Sequence, residues 1–173
     1  MKILPRVIPS PERERWLDKN VPYRIKMLQG QEAFVVTNGR SGPLERVFPS
    51  IFESALIACR WSGNFLGLSV SRKGVLVSIE ERPVDTDVFS IDLGGTLLEL
   101  GDLSGREKVL LRNVLLGANV ATAHPTRQGT HPIWGDVGSA AWDDVRSAAP
   151  FLILQIKSHL YDVLGIPVPE WER

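Results

Sequence analysis

A single cysteine, Cys59, is all that the chain contains. An intramolecular disulfide and a cysteine-rich zinc site are therefore excluded. Cys59 sits in the apolar stretch SALIACRW, where a thiol is expected to serve as a small buried hydrophobe rather than a nucleophile. Excess charge of either sign is missing too. Twenty basic residues balance twenty acidic ones, so no overall cationic field exists to hold nucleic acid. No run approaches the roughly 18 apolar residues of a membrane span. The opening MKILPRVIPSPERER has one short apolar run broken by prolines and charges, so no targeting segment is expected and the protein reads as soluble and cytoplasmic. Internal repeats, low-complexity tracts and long linkers are absent as well.

What is present suits a packed core. Hydrophobic residues make up 43% of 173 positions, enough for one globular domain over residues 1–173. SPERERWLDKN predicts a short helix near 10–19, with Ser10 as cap, Pro11 in the first turn, and Glu12 and Glu14 at the positive helix end. PYRIKML and EAFVVTN predict two strands, because Tyr23, Ile25 and Met27 alternate with Arg24 and Lys26. SIFESALIACRW predicts a helix near 50–61 with a Ser50–Glu53 capping box. NFLGLSVS and VLVSIEE predict a hairpin turning at Gly74, with Val75, Val77 and Ile79 on its apolar face. VFSIDL and TLLELG add one or two strands around Gly94-Gly95, read as a hairpin turn.

The last third changes character. SGREKVLLRNVLLGANVATAH predicts a helix apolar over most of its circumference, and hence central. SAAWDDVRSAAPFLILQIKSHLYDVLG predicts another, kinked or restarted at Pro150 and stopped by Gly165 and Pro167. The expected architecture is α+β: an antiparallel meander of about five or six strands packed against two long C-terminal helices.

Candidate chemistry gathers in AHPTRQGTHPIWGD. His124 and His131 could serve as acid and base near neutral pH. Arg127 could fork onto a phosphate or carboxylate, and Asp136 could orient one ring. Two histidines and one carboxylate fall short of a closed metal site, so no metal and no cofactor is expected. The simpler expectation is a helix-to-helix loop, in which the prolines stop the preceding helix. Tryptophans number five. Trp134 and Trp171, in polar or proline-rich surroundings, are the candidate binding residues, since exposed Trp is enriched where partners bind.

Three strings resemble known families. SIDLGGT is similar to the phosphate-binding turn of actin-fold sugar kinases, with Asp92 and Gly94-Gly95-Thr96 in matching order; the resemblance implies backbone amides gathered around a phosphate. HPT at 124–126 resembles the His-x-Thr element of two-histidine phosphoesterases; HPI, seven residues on, lacks the hydroxyl. The order of a helix ending ANVATAH, a loop and the helix VRSAAPFLILQIKSHLYDVLG is similar to the end of HEPN domains, small helical ribonucleases. There His124 and Asn119 match the histidine and polar residue of the motif, and Ala118 stands at the arginine position.

The functional expectation is a non-enzymatic binding or assembly domain. The alternatives are a small phosphoester hydrolase or HEPN-like ribonuclease using His124, Arg127 and His131, and a small-ligand sensor. PFLILQIKSHLYDVLG carries apolar residues on more than one face, so a homodimer through the C-terminal helix or the Trp171 tail is the expected partnership.

Overall fold

The computed structural model describes residues 3–38, 48–83, 87–123 and 139–169; side-chain surroundings are described for 3–30, 50–83, 87–119 and 142–169. It is mostly helical, 67%, with two antiparallel strands in one small sheet. The expected meander of five or six strands is thus replaced by a helical bundle.

Helix α1 (Ser10–Arg15) runs through a π-helical turn, Trp16–Asn20, into α2 (Val21–Asn38). The strands expected from PYRIKML and EAFVVTN are therefore helix. The buried residues explain why: Leu17, Val21, Ile25 and Leu28 are buried, at the three- and four-residue spacings of a helical face. The alternation of Tyr23, Ile25 and Met27 is a coincidental subset, and Tyr23 is 49% exposed. Ser10 does not cap: Pro9 holds the cap position, and the Ser10 hydroxyl donates to Glu14 instead.

Helix α3 (Phe48–Phe65) begins earlier than expected. Ser50 lies inside it, its carbonyl accepting the Ser54 hydroxyl at 2.7 Å, so the Ser50–Glu53 box does not form at the helix start. This helix, rather than the one after it, is central. It packs against α2, α4 (Gly105–Ala123) and α5 (Ser139–Ile156). Leu56, Ala58, Cys59 and Ser62 are sealed from solvent within it. Burial pushes the Cys59 thiol up to about 12, so the thiolate is suppressed and the residue acts as a small hydrophobe. On α4, Leu111, Val114, Leu115 and Ala118 are buried while Val109 is 56% exposed. A capping box does open α4: Ser104 N–H donates to Glu107 Oε2 at 2.7 Å, and Glu107 N–H to Ser104 Oγ at 3.3 Å. Those bonds from Ser104 hold the Glu107 carboxyl below its ordinary value.

The hairpin survives in shorter form, as β1 (Leu68–Val70) and β2 (Leu76–Ser78), with Gly74 in its turn at φ +72°. Its faces are inverted relative to expectation. Leu76 is buried and Val75 is 55% exposed, because α4 packs against both strands. VFSIDL and TLLELG form 3-10 turns, Ser90–Leu93 and Leu100–Asp102, in place of strands.

Helix α5 passes through Pro150 without stopping, enters a second π-turn at Lys157–Tyr161 and ends as α6 (Asp162–Leu164), where Gly165 adopts the left-handed conformation. The two π-turns meet. Val21 N–H reaches back five residues to the Trp16 carbonyl. The next residue, Pro22, has no N–H to offer the Leu17 carbonyl. The buried Tyr161 hydroxyl fills that vacancy, donating to Leu17 O at 2.8 Å.

Candidate functional site

SIDLGGT is built as an internal clamp. Asp92 is buried, and its carboxylate takes both ends of the Arg82 guanidinium, Nη2–Oδ1 at 2.7 Å and Nη1–Oδ2 at 2.8 Å. Backbone N–H groups of Arg6 (2.7 Å) and Phe89 (2.8 Å) complete its shell. Burial raises the Asp92 carboxyl, but the Arg82 hydrogen bonds and charge and the two amides outweigh it and hold the group below its ordinary value. The glycines then approach the second π-turn. Gly94, Gly95 and Thr96 donate their N–H groups to Ile91 O, Ser90 O and His159 O. A Cβ on Gly95 would lie 2.4 Å from the His159 carbonyl oxygen, which explains the glycine. All three amides are therefore committed to protein carbonyls, and the phosphate cradle implied by the sugar-kinase resemblance does not form. The hairpin turn expected at Gly94-Gly95 does not form either, since no strand flanks it.

Thr96 is held to His159 twice. Its amide donates to the His159 carbonyl at 2.7 Å, and its hydroxyl lies 2.8 Å from Nδ1. Burial lowers the His159 pKa, and the charge of Asp102 opposes that in part. A neutral imidazole accepts from the threonine hydroxyl. This pair could move a proton. With Gly94, Gly95 and Thr96 amides already bound, these residues offer no donors for a developing oxyanion.

Beside Thr96 lies a groove of about 420 Å³, with Gly67, Ile79 and Leu97 among its lining residues and Glu80 and Glu99 on its exposed rim. Gly67 has φ +88°, which side chains rarely adopt, and a Cβ there would sit 3.1 Å from Leu97 Cδ2. Glycine thus keeps the groove open. Leu98 N–H fixes the neighbouring wall by donating to Leu66 O at 2.9 Å. A second hollow, of about 170 Å³, lies among Trp16, Trp61, Phe65 and Phe89. Its rings are already engaged: Trp61 stacks on Trp16 and Phe65, while Arg24 lies over Trp61 and Arg82 over Phe89. The larger groove is therefore the better candidate.

No family model, curated protein or solved structure matches the chain. The geometry alone carries the functional reading.

His124, Arg127, His131, Trp134, Asp136 and Trp171 lie outside the described residues. Ala118, at the arginine position of the HEPN comparison, is wholly buried on α4. Among the described residues, no group of three His, Cys, Asp or Glu side chains could hold a metal ion, and no helix is long and apolar enough to cross a membrane. The sequence reading missed Arg82, Thr96 and His159. Nothing local marks Arg82 as the partner of Asp92, and the third histidine sits in the interior of an apolar helix without a second polar group nearby in sequence.

Proposed function

We propose that the protein is a non-enzymatic binding and assembly domain of the cytoplasm, and that its ligand occupies the groove bordered by Gly67, Ile79 and Leu97. The observation that carries this reading is the groove itself, about 420 Å³, within the roughly 300–1,000 Å³ of small-ligand sites. Its apolar walls suit a hydrophobic body. Glu80 and Glu99 on the rim favour a cationic or hydrogen-bond-donating end. The buried, suppressed thiol of Cys59 fits a reducing compartment.

A fragment library screened by amide chemical shifts tests the reading. Apolar amines should move the resonances of Gly67, Ile79, Leu97 and Glu99 together, and Leu97→Arg, which fills the groove with a charged side chain, should abolish those shifts while the protein stays folded. Equal binding by the Leu97→Arg protein, or shifts confined to other surfaces, would refute it.

A further inference from the structure

The small sheet leaves one backbone edge unused. Ile79 N–H donates to Gly67 O, and Ser71 N–H donates to Val75 O. In an antiparallel pair these bonding positions alternate. Val75, Val77 and Ile79 therefore turn their backbone groups toward β1. Leu76, Ser78 and Glu80 turn theirs the opposite way. Among the described residues, nothing pairs with the outward N–H and C=O of Leu76 and Ser78. Such an edge is a template for another strand.

The surface beside this edge carries a charge pattern. Leu76 shares a hollow of about 370 Å³ with Val109, Lys108 and Arg112 of α4. Arg112 is anchored there, its Nε donating to Gly74 O at 2.6 Å. Glu80 lies two pairing positions beyond the exposed Ser78. One end of the edge is thus cationic and the other anionic, with Ser78 midway.

We propose that two copies of the chain pair antiparallel through this edge, about a two-fold axis at Ser78, giving a four-stranded sheet. Ser78 then exchanges both backbone hydrogen bonds with Ser78 of the second copy. Leu76 falls opposite Glu80 of that copy. Directly opposed residues share one sheet face, so each Glu80 comes to the hollow holding Lys108 and Arg112, twice per dimer. Val75 and Val109, 55% and 56% exposed, lie beside the joint and gain cover. The inference rests on the assembly half of the proposed function and names its partner as a second copy. It uses the backbone edge rather than the groove, so the two can fail separately.

The C-terminal helix, the interface expected from sequence, offers less. Leu152, Ile156 and Leu160 are buried and Phe151, Ile153 and Leu164 pack against the core, which leaves Leu154 and Val163 exposed.

Sedimentation equilibrium tests the proposal. The wild-type chain should dimerise in the micromolar range. Ser78→Pro removes a donor that points away from β1, so the hairpin should persist while the dimer weakens by about tenfold or more. Glu80→Lys and Lys108→Glu should each weaken it roughly three- to tenfold, and together restore it. This pair of variants keeps the proposal testable should Ser78→Pro fail to fold. Ser78→Cys should form an intermolecular disulfide faster than a control Ser147→Cys. The facing Cα atoms of a hydrogen-bonded pair are about 5.5 Å apart, within disulfide reach, and the native thiol is sealed in the core. A wild-type monomer mass throughout the concentration range would overturn the proposal, and so would a Ser78→Pro dimer of unchanged strength. Dissociation by Leu154→Glu would also overturn it, in favour of the helix. Loss of ligand shifts in Leu97→Arg without a change in mass would leave the dimer standing and concerns the groove alone.

Discussion

Replacing Arg82 by leucine isolates the cost of the buried carboxylate. In the native protein, the Asp92 side chain is 0% exposed and that of Arg82 16%. The substitution removes two of four hydrogen bonds to the carboxylate, leaving the amides of Arg6 and Phe89. Arg82 also donates to the carbonyls of Leu4 and Asp87, so two further bonds go with it. Breaking one side of a buried ion pair typically costs about 3–5 kcal/mol, because the remaining charge stays desolvated. That range is the expected loss in urea denaturation at about pH 7. The pH dependence supplies a second check. The native Asp92 pKa is lowered, so its contribution is present above the unfolded aspartate value of about 3.9 and is lost as pH falls through the folded value. Without Arg82, burial raises the pKa of Asp92, and proton uptake relieves the penalty as pH falls. The gap between the two proteins should therefore narrow toward about pH 4. A loss under about 1 kcal/mol at neutral pH, or a gap independent of pH, would refute the clamp as a stability element.

Leu115→Ala should cost about 2–5 kcal/mol in chemical denaturation, since Leu115 is 2% exposed; a loss well under 1 kcal/mol would place α4 outside the core. Gly63→Ala puts a Cβ 2.7 Å from Leu115 Cδ2, so it should destabilise alone by about 1–3 kcal/mol and less when combined with Leu115→Ala, a coupling that a double-mutant cycle reads directly. His159 has a lowered folded pKa; its stabilising contribution is present above the unfolded value of about 6.5 and lost as pH falls below it. His159→Gln should flatten the stability profile in that window, and an unchanged slope would count against the buried, neutral ring. Gly95→Ala should loosen the docking of residues 90–96, seen as faster hydrogen exchange at the Thr96 amide, because the new methyl collides with the His159 backbone.

The helices of the second half were legible because their apolar repeats are long. Residues 105–123 and the stop at Gly165 stand close to where the pattern puts them. The Ser104–Glu107 cap was equally visible as SGRE, yet the box was assigned to Ser50 and Glu53, which lie inside a helix that starts at Phe48. The first half misled for a physical reason. Val21, Ile25 and Leu28 mark the buried side of α2, but three alternating apolar residues overlap them and imitate a strand. Asp92 could be seen as unusual, but its partner Arg82 follows only from the tertiary path. The groove depends on Gly67, whose role appears once Leu97 is known to approach it.

The paired π-turns bear on how the chain tolerates changes in length. Apolar residues four apart, as in Leu17-Val21-Ile25 and Leu152-Ile156-Leu160, drift around an α-helix by about 40° per step, since each residue turns about 100°. A widened turn takes back part of that drift, so each stripe stays on the core for longer than a regular helix would allow. Deleting one residue from either turn would convert it to ordinary α-helix and rotate everything beyond it by about 100°. The Tyr161 hydroxyl would then swing away from the Leu17 carbonyl, and the His159 carbonyl from Thr96. A frame-preserving codon loss at these turns should therefore be far more damaging than a substitution, making them the two places along the long helices where spacing outranks side-chain identity.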